Sequence, residues 1–195
     1  MTPDESLALI SEMINNLKED YKNNAYYFIL WGWTITLASI SHFILLLLLH
    51  RFDLYSMMGL SSMLIWVLFV GVAILIQYIH LAKHKPRNSS LYNRVIKALW
   101  LAAGINMAVI ITICIKFEIY PPVLILPVVG MATLIMGLMM HFKPLIAGGF
   151  LFFTAALIAA FWLYEYSLIV NAVAIILGYL IPGYMLRKAK SESHV

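Results

Sequence analysis

A few polar side chains lie inside long apolar runs of this sequence, and they are the residues best placed to do chemistry. Ser39 and His42 lie in the run before Arg51, whereas Ser61 and Ser62 lie in the run after it. A histidine and a serine at equal depth on two antiparallel helices are within hydrogen-bonding reach, which is the arrangement that activates a serine nucleophile. Equal depth therefore brings a serine within reach of His42.

Two non-catalytic interpretations of this polar layer stay open. The residues can hydrogen-bond across helices, as polar side chains in apolar spans usually do, each bond being worth about 0.6 kcal/mol. Alternatively they line a pocket, open on the side of Arg51, for a small neutral or anionic ligand. The candidate ligand-binding residues are Ser39, His42, Ser61, Ser62, Asn106, Asn171 and Glu165.

A third, catalytic interpretation rests on a short motif. Gly59-Leu60-Ser61-Ser62 resembles the G-x-S-x motif of rhomboid proteases, which also have six core spans. Here the serine follows on the second apolar run and the histidine lies on the first, an order that this family does not use. Because short serine motifs recur by chance, we expect no catalytic residue and no enzyme.

Three patterns in the sequence could suggest a metal or haem site, but each has a feature that disfavours it. His80 and His84 have the i, i+4 spacing of two ligands on one helical face, but adjacent Lys and Arg side chains would repel a cation. The methionines and histidine of residues 136–141 are the composition of a copper site, although methionine more often fills gaps between helices. No two spanning histidines share the depth that haem ligation requires. We expect no metal and no cofactor.

The elements that carry these residues are membrane-spanning helices. The chain has 195 residues, of which 63% are hydrophobic and 11% charged. Soluble domains carry about 25% charged residues, so the composition excludes a soluble enzyme. Six runs reach the roughly 20 residues that a span needs. They cover about residues 25–49, 55–79, 97–116, 121–141, 144–163 and 166–186.

We therefore predict an all-α, polytopic six-helix bundle. Pro127 is expected to kink the fourth span, and Pro182-Gly183 to loosen the end of the sixth. No span carries Asp, Glu, Lys or Arg in its middle. Such charges mark proton relays, ion paths and intramembrane acid catalysis, so their absence disfavours these functions.

The distribution of positive charge predicts the orientation of the bundle. Eleven of the Lys and Arg side chains lie in segments on the side of the two termini, against Arg51 and Lys116 on the other side. Cytoplasmic segments carry such an excess, so both termini, including the tail 187–195, are expected in the cytoplasm. The excess between the second and third spans needs no nucleic acid partner to explain it.

Residues 1–24 are predicted to form a cytoplasmic amphipathic helix. Its apolar residues recur at steps of three and four, and its polar faces carry a net charge of −3. A helix that binds anionic lipid would carry Lys and Arg instead. It lies in the headgroup region or packs under its own bundle, or else it binds a protein by pairing with a second copy or docking on the basic loop 80–97. The candidate partner-binding residues are Leu7, Ile10, Ile14, Leu17 and Tyr21.

The first quarter of the chain also resembles a group of small multispan bacterial membrane proteins of uncharacterised function. The resemblance lies in Ile10-Ser11 with Met13-Ile14, in the segment 27–33 (YFILWGW), and in Ser39-Ile40-Ser41-His42. It implies a bacterial cytoplasmic membrane location and supplies no activity or substrate.

The function that we expect is regulation, scaffolding or assembly through the N-terminal helix and the basic loop. The expected partners are the lipid bilayer and either a second copy or a cytoplasmic protein. The alternative is a transporter or binding protein for a small, weakly charged solute, which would use the polar layer.

Overall fold

The computed structural model describes residues 3–83 and 91–189, with side chains for residues 25–83 and 94–188. Throughout these residues the regular structure is helical. The helices are α1 (Pro3–Arg51), α2 (Met58–Lys83), α3 (Leu91–Phe117), α4 (Pro121–Met139), α5 (Lys143–Phe161), α6 (Ser167–Ile175) and α7 (Ile181–Ala189). A 3-10 turn, Tyr55–Met57, precedes α2, and a π-helical turn, Ile176–Leu180, joins α6 to α7.

Six segments are long and apolar enough to cross a membrane, which confirms the predicted number. Their bounds differ from the predicted ones by at most four residues. The sixth segment comprises α6, the π turn and α7. The segments are Ala25–Arg51, Tyr55–Lys83, Arg94–Phe117, Pro121–Met139, Lys143–Phe161 and Ser167–Lys188.

Helix α1 differs from the predicted division at residue 24. It continues for 49 residues without a break, which corresponds to about 74 Å at about 1.5 Å per residue. The physical reason is the absence of any helix breaker, because neither Gly nor Pro occurs between Pro3 and Gly32. The first span and the segment before it are therefore one helix.

The core of the bundle is formed by α1, α4, α5 and the α6–α7 segment, with α4 packed against α5 and the α6–α7 segment packed against α1 and α5. On α4 and α5, Leu134 lies against Gly149 and Gly137 lies against Ile146. Helices α2 and α3 are peripheral, since α2 packs against α1 and α3 mainly against α4. In the most apolar 18-residue stretch of the second span, only 6% is buried inside the protein. The corresponding stretch of the sixth span is 56% buried.

Three helix ends share one turn geometry. Asp53, Glu118 and His141 adopt positive φ angles of 55°, 55° and 51° directly after α1, α3 and α4. The following backbone N–H reaches back to the last helical turn, as from Leu54 to the Leu49 carbonyl oxygen at 2.9 Å. This arrangement satisfies carbonyls at the helix ends and keeps the connections short.

The sixth span is irregular one turn earlier than the sequence predicts. Helix α7 continues through Pro182 and Gly183 to Ala189, and the π turn precedes them. Pro182 has no N–H to donate to the Gly178 carbonyl, which frees that oxygen from the helical pattern. Helix α5 approaches so closely here that a β-carbon on Gly148 would overlap the Gly178 carbonyl oxygen. Two glycines thus allow backbone contact at the π turn.

We expect Gly148→Ala to destabilise the protein by about 1–3 kcal/mol, because the added methyl group meets backbone that cannot move aside. Thermal unfolding in a mild detergent measures the effect. Gly104→Ala is the matched control, since an added β-carbon at Gly104 meets no atom within 4 Å. If both variants unfold at the wild-type temperature, the close approach does not contribute to stability.

Candidate functional site

Helices α1 and α2 are held together by polar and aromatic side chains at three depths. Trp31 donates a hydrogen bond to Gln77 at 2.9 Å, and Tyr26 stacks on His80 with ring centroids 3.9 Å apart. At the third depth, the His42 Nε2 atom lies 2.7 Å from the Ser62 hydroxyl oxygen. The structure therefore brings His42 together with one of the two predicted serines.

The proton positions in this cluster follow from its donors. The Trp66 indole N–H donates to His42 Nδ1 at 3.1 Å, and an indole nitrogen can only donate. His42 Nδ1 is therefore the acceptor, so the ring proton is on Nε2 and is donated to Ser62. The Ser62 hydroxyl in turn donates to the Met58 carbonyl oxygen at 2.5 Å.

This direction of donation is opposite to that of an activated serine, in which histidine accepts the hydroxyl proton. The motif serine, Ser61, is also turned away, since its hydroxyl donates to the Met57 carbonyl oxygen of its own helix at 2.6 Å. In this arrangement His42, Ser62 and Trp66 connect α1 to α2 by hydrogen bonds.

Ser39 and Asn171 form a second, separate pair. The Asn171 side-chain amide donates to the Ser39 hydroxyl at 2.8 Å. Both residues are buried, with 0% of Ser39 and 5% of Asn171 exposed. Ser39 thus faces α6 whereas His42 faces α2, although the two are one helical turn apart. The predicted polar layer is therefore divided between two helix contacts.

The remaining candidates lie outside these pairs. Glu165 is exposed in the turn between α5 and α6, and Asn106 is exposed on α3. Three buried hydroxyls that the sequence analysis did not single out, those of Thr36, Thr133 and Ser167, have no hydrogen-bond partner among the described residues. A hydroxyl inside an apolar run was the only available signal for them.

Some predicted residues fall outside what the structure describes. The structure describes no side chain before Ala25, so it does not describe those of the predicted partner-binding residues Leu7, Ile10, Ile14, Leu17 and Tyr21. His84 lies in the segment 84–90, which is also outside the described residues. Among the described residues, no group of three His, Cys, Asp or Glu side chains is placed to hold a metal ion.

Fold and site together define an all-α bundle of six apolar segments, in which His42 is bonded to Ser62 and Trp66 and Ser39 is bonded to Asn171. No protein-family model, curated protein or solved structure matches the chain.

A double-mutant cycle on Ser39→Ala and Asn171→Leu tests the buried pair. We expect a coupling energy of about 0.6–1.7 kcal/mol in the free energy of unfolding, the range found for hydrogen bonds between membrane helices. Thr154→Val is the control, because the exposed Thr154 hydroxyl donates to the Leu151 carbonyl oxygen of its own helix. A coupling energy near zero contradicts a stabilising role for the pair.

Proposed function

We propose that this chain is a non-catalytic integral protein of the bacterial cytoplasmic membrane with regulatory, scaffolding or assembly function. Its six apolar segments support membrane insertion. The excess of Lys and Arg on the side of the termini supports a cytoplasmic location for both. In this proposal, the binding surface is the N-terminal part of α1 with the basic segment between α2 and α3.

The observation that carries the proposal is the continuity of α1. The first span begins at Ala25, yet the helix begins at Pro3, so its first 22 residues extend about 33 Å beyond the span. A continuous helix fixes the direction of this extension relative to the bundle, whereas a flexible linker would not. A fixed apolar seam outside the membrane suits capture of a partner helix.

Charge favours a protein partner over the lipid surface. The extension carries a net charge of −3, which the anionic headgroups of a bacterial membrane repel. A partner surface with positive charge complements it. The basic residues of the segment between α2 and α3, in the same chain or a second copy, are one such surface.

The pairing of the polar residues disfavours a ligand site or a catalytic site within the spans. It therefore supports a binding role for the part of the chain outside them. The His42 ring nitrogens and the Asn171 side-chain nitrogen already have protein partners. A ligand at either place would have to break two hydrogen bonds at His42 or one at Asn171. The free energy lost would have to come from the ligand's own contacts.

A second candidate, passage of a small solute, is favoured by one observation. The buried hydroxyls of Thr36, Thr133 and Ser167 have no partner among the described residues. A buried hydroxyl without a hydrogen bond is unfavourable by about 1–3 kcal/mol, so these groups are available to water or to a polar solute. These hydroxyls lie on α1, α4 and α6, and a transport pathway in this bundle would have to use such groups.

Photo-crosslinking tests the proposed binding role. A benzophenone amino acid placed at Ile14, on the apolar seam, should form an adduct with a protein in intact cells because the seam packs against a partner helix. The same probe at Asn15, one residue along and off the seam, is the matched control. Mass spectrometry of the purified adduct identifies what has been captured.

Two results contradict this role. Adducts at Ile14 that contain only lipid would place the helix in the headgroup region, and equal adduct yields at both positions would remove the seam as a specific surface. Deletion of residues 1–20 should abolish copurification of the partner identified in the adduct while leaving membrane insertion intact, as measured by carbonate extraction.

Thiol labelling separates the second candidate from the first. In protein with Cys114→Ala, a cysteine introduced as Thr133→Cys should react with a membrane-impermeant maleimide far more slowly than one introduced as Glu165→Cys. The reason is that Thr133 is fully buried whereas Glu165 is exposed. Comparable labelling rates would show that water reaches the core and would favour the solute pathway.

A further inference from the structure

Asn106 is an exposed amide in the middle of an apolar helix. It lies twelve residues after the start and eleven before the end of the span Arg94–Phe117. The residues one turn away on either side, Ala102 and Ile110, are apolar. Its side chain makes no hydrogen bond with any residue that the structure describes.

The other side-chain amides of the described spans, and the exposed hydroxyl nearest to Asn106 on α3, do have hydrogen-bond partners. The exposed hydroxyl of Thr112, six residues further along α3, donates to the Ala108 carbonyl oxygen at 2.9 Å. The side-chain amides of Gln77 and Asn171 are paired across helices, with Trp31 and Ser39. A hydroxyl can be satisfied by its own helix, but a carboxamide has both a donor and an acceptor to satisfy.

An unpaired amide surrounded by hydrocarbon is strongly unfavourable, because neither its N–H groups nor its carbonyl oxygen finds a hydrogen-bond partner there. The buried stripe of α3 cannot relieve this, because it faces α4 through residues such as Ala103 and Cys114. The amide therefore requires a partner from outside this chain at the same depth in the membrane.

We propose that α3 pairs with α3 of a second copy, with the two Asn106 amides exchanging hydrogen bonds. A carboxamide is complementary to itself, since each copy offers one donor and one acceptor to the other. Two copies inserted with the same topology are related by a two-fold axis along the membrane normal, and this axis places each residue opposite its own equivalent. Asn106 then meets Asn106 at equal depth.

The neighbouring residues suit such a crossing. Ala98 and Ala102 precede Asn106 at intervals of four residues, and both are exposed. Small side chains at this spacing let two helices approach closely enough for a hydrogen bond between short side chains. This interface lies within the spans, so it is separate from the binding role proposed for the N-terminal part of α1.

Disulfide mapping in vesicles of native lipids locates the interface. In full-length protein with Cys114→Ala, oxidation should crosslink the variants Ala102→Cys and Val109→Cys to dimers. Leu101→Cys and Ala108→Cys are the matched controls, since each is exposed at almost the same depth but points about 100° away around the helix. Equal crosslinking at all four positions, or crosslinking at the controls alone, overturns the proposal.

The role of the amide is measured by resonance energy transfer between labelled copies in the same vesicles. Asn106→Leu should weaken dimerisation by roughly three- to tenfold, whereas Thr112→Val should leave it unchanged. Unaltered dimerisation of the Asn106→Leu protein overturns the proposal.

Dimers that survive Asn106→Leu but are lost with Ile14→Asn would assign self-association to the N-terminal seam instead. If dimers form through Asn106 but no protein adduct forms at Ile14, the dimer proposal stands and the binding role proposed for the N-terminal part of α1 is contradicted.

Discussion

Every polar side chain within the spans of such a chain needs a partner in protein, because a hydrocarbon layer offers none. In this bundle that requirement is met largely through α1. Trp31 and His42 bond to α2, and Ser39 bonds to α6. At the end near the N terminus, Trp33 donates to the Tyr184 hydroxyl of α7 at 3.0 Å. Helix α1 is thereby attached both to the peripheral helix α2 and to the α6–α7 segment of the core.

Two kinds of helix contact divide the bundle. Helices α4, α5 and the π turn meet through glycines such as Gly137, Gly148 and Gly149, which permit backbone approach and dispersion contacts along the helices. Helix α2 is instead separated from α1 by large rings, those of Trp31, Trp66 and His80 among them. Large side chains at a contact keep helix axes apart, which agrees with the small buried fraction of α2.

Much of the architecture was accessible from sequence because a span has a fixed length and composition. The number of spans and the meeting of His42 with a serine follow from hydropathy and depth alone. The direction of the His42 ring proton does not, because it depends on Trp66, whose place beside His42 is visible only in three dimensions. Likewise the spacing of three residues puts Ser39 and His42 on neighbouring positions of α1, yet the difference of about 60° around the helix gives them different partners.

The π turn was not accessible for a related reason. The sequence indicates that Pro182 disrupts the helical hydrogen bonding. The position of the resulting irregular turn depends on where the backbone of a neighbouring helix can approach closely. Gly148 on α5 provides that space beside Gly178, so the irregularity lies before the proline rather than after it.

A π turn holds one residue more than an α-helical turn does, and this has a consequence for everything that follows Leu180. Ordinary α-helical winding of the same five residues, Ile176–Leu180, would rotate α7 by about 100° about its axis. Tyr184 would then swing away from Trp33, and Gly183 would leave the side chain of Phe28. The wider turn thus accommodates one extra residue and keeps the last helix facing Trp33 and Phe28. A chain one residue shorter here, wound as ordinary α-helix, would present the same face of that helix.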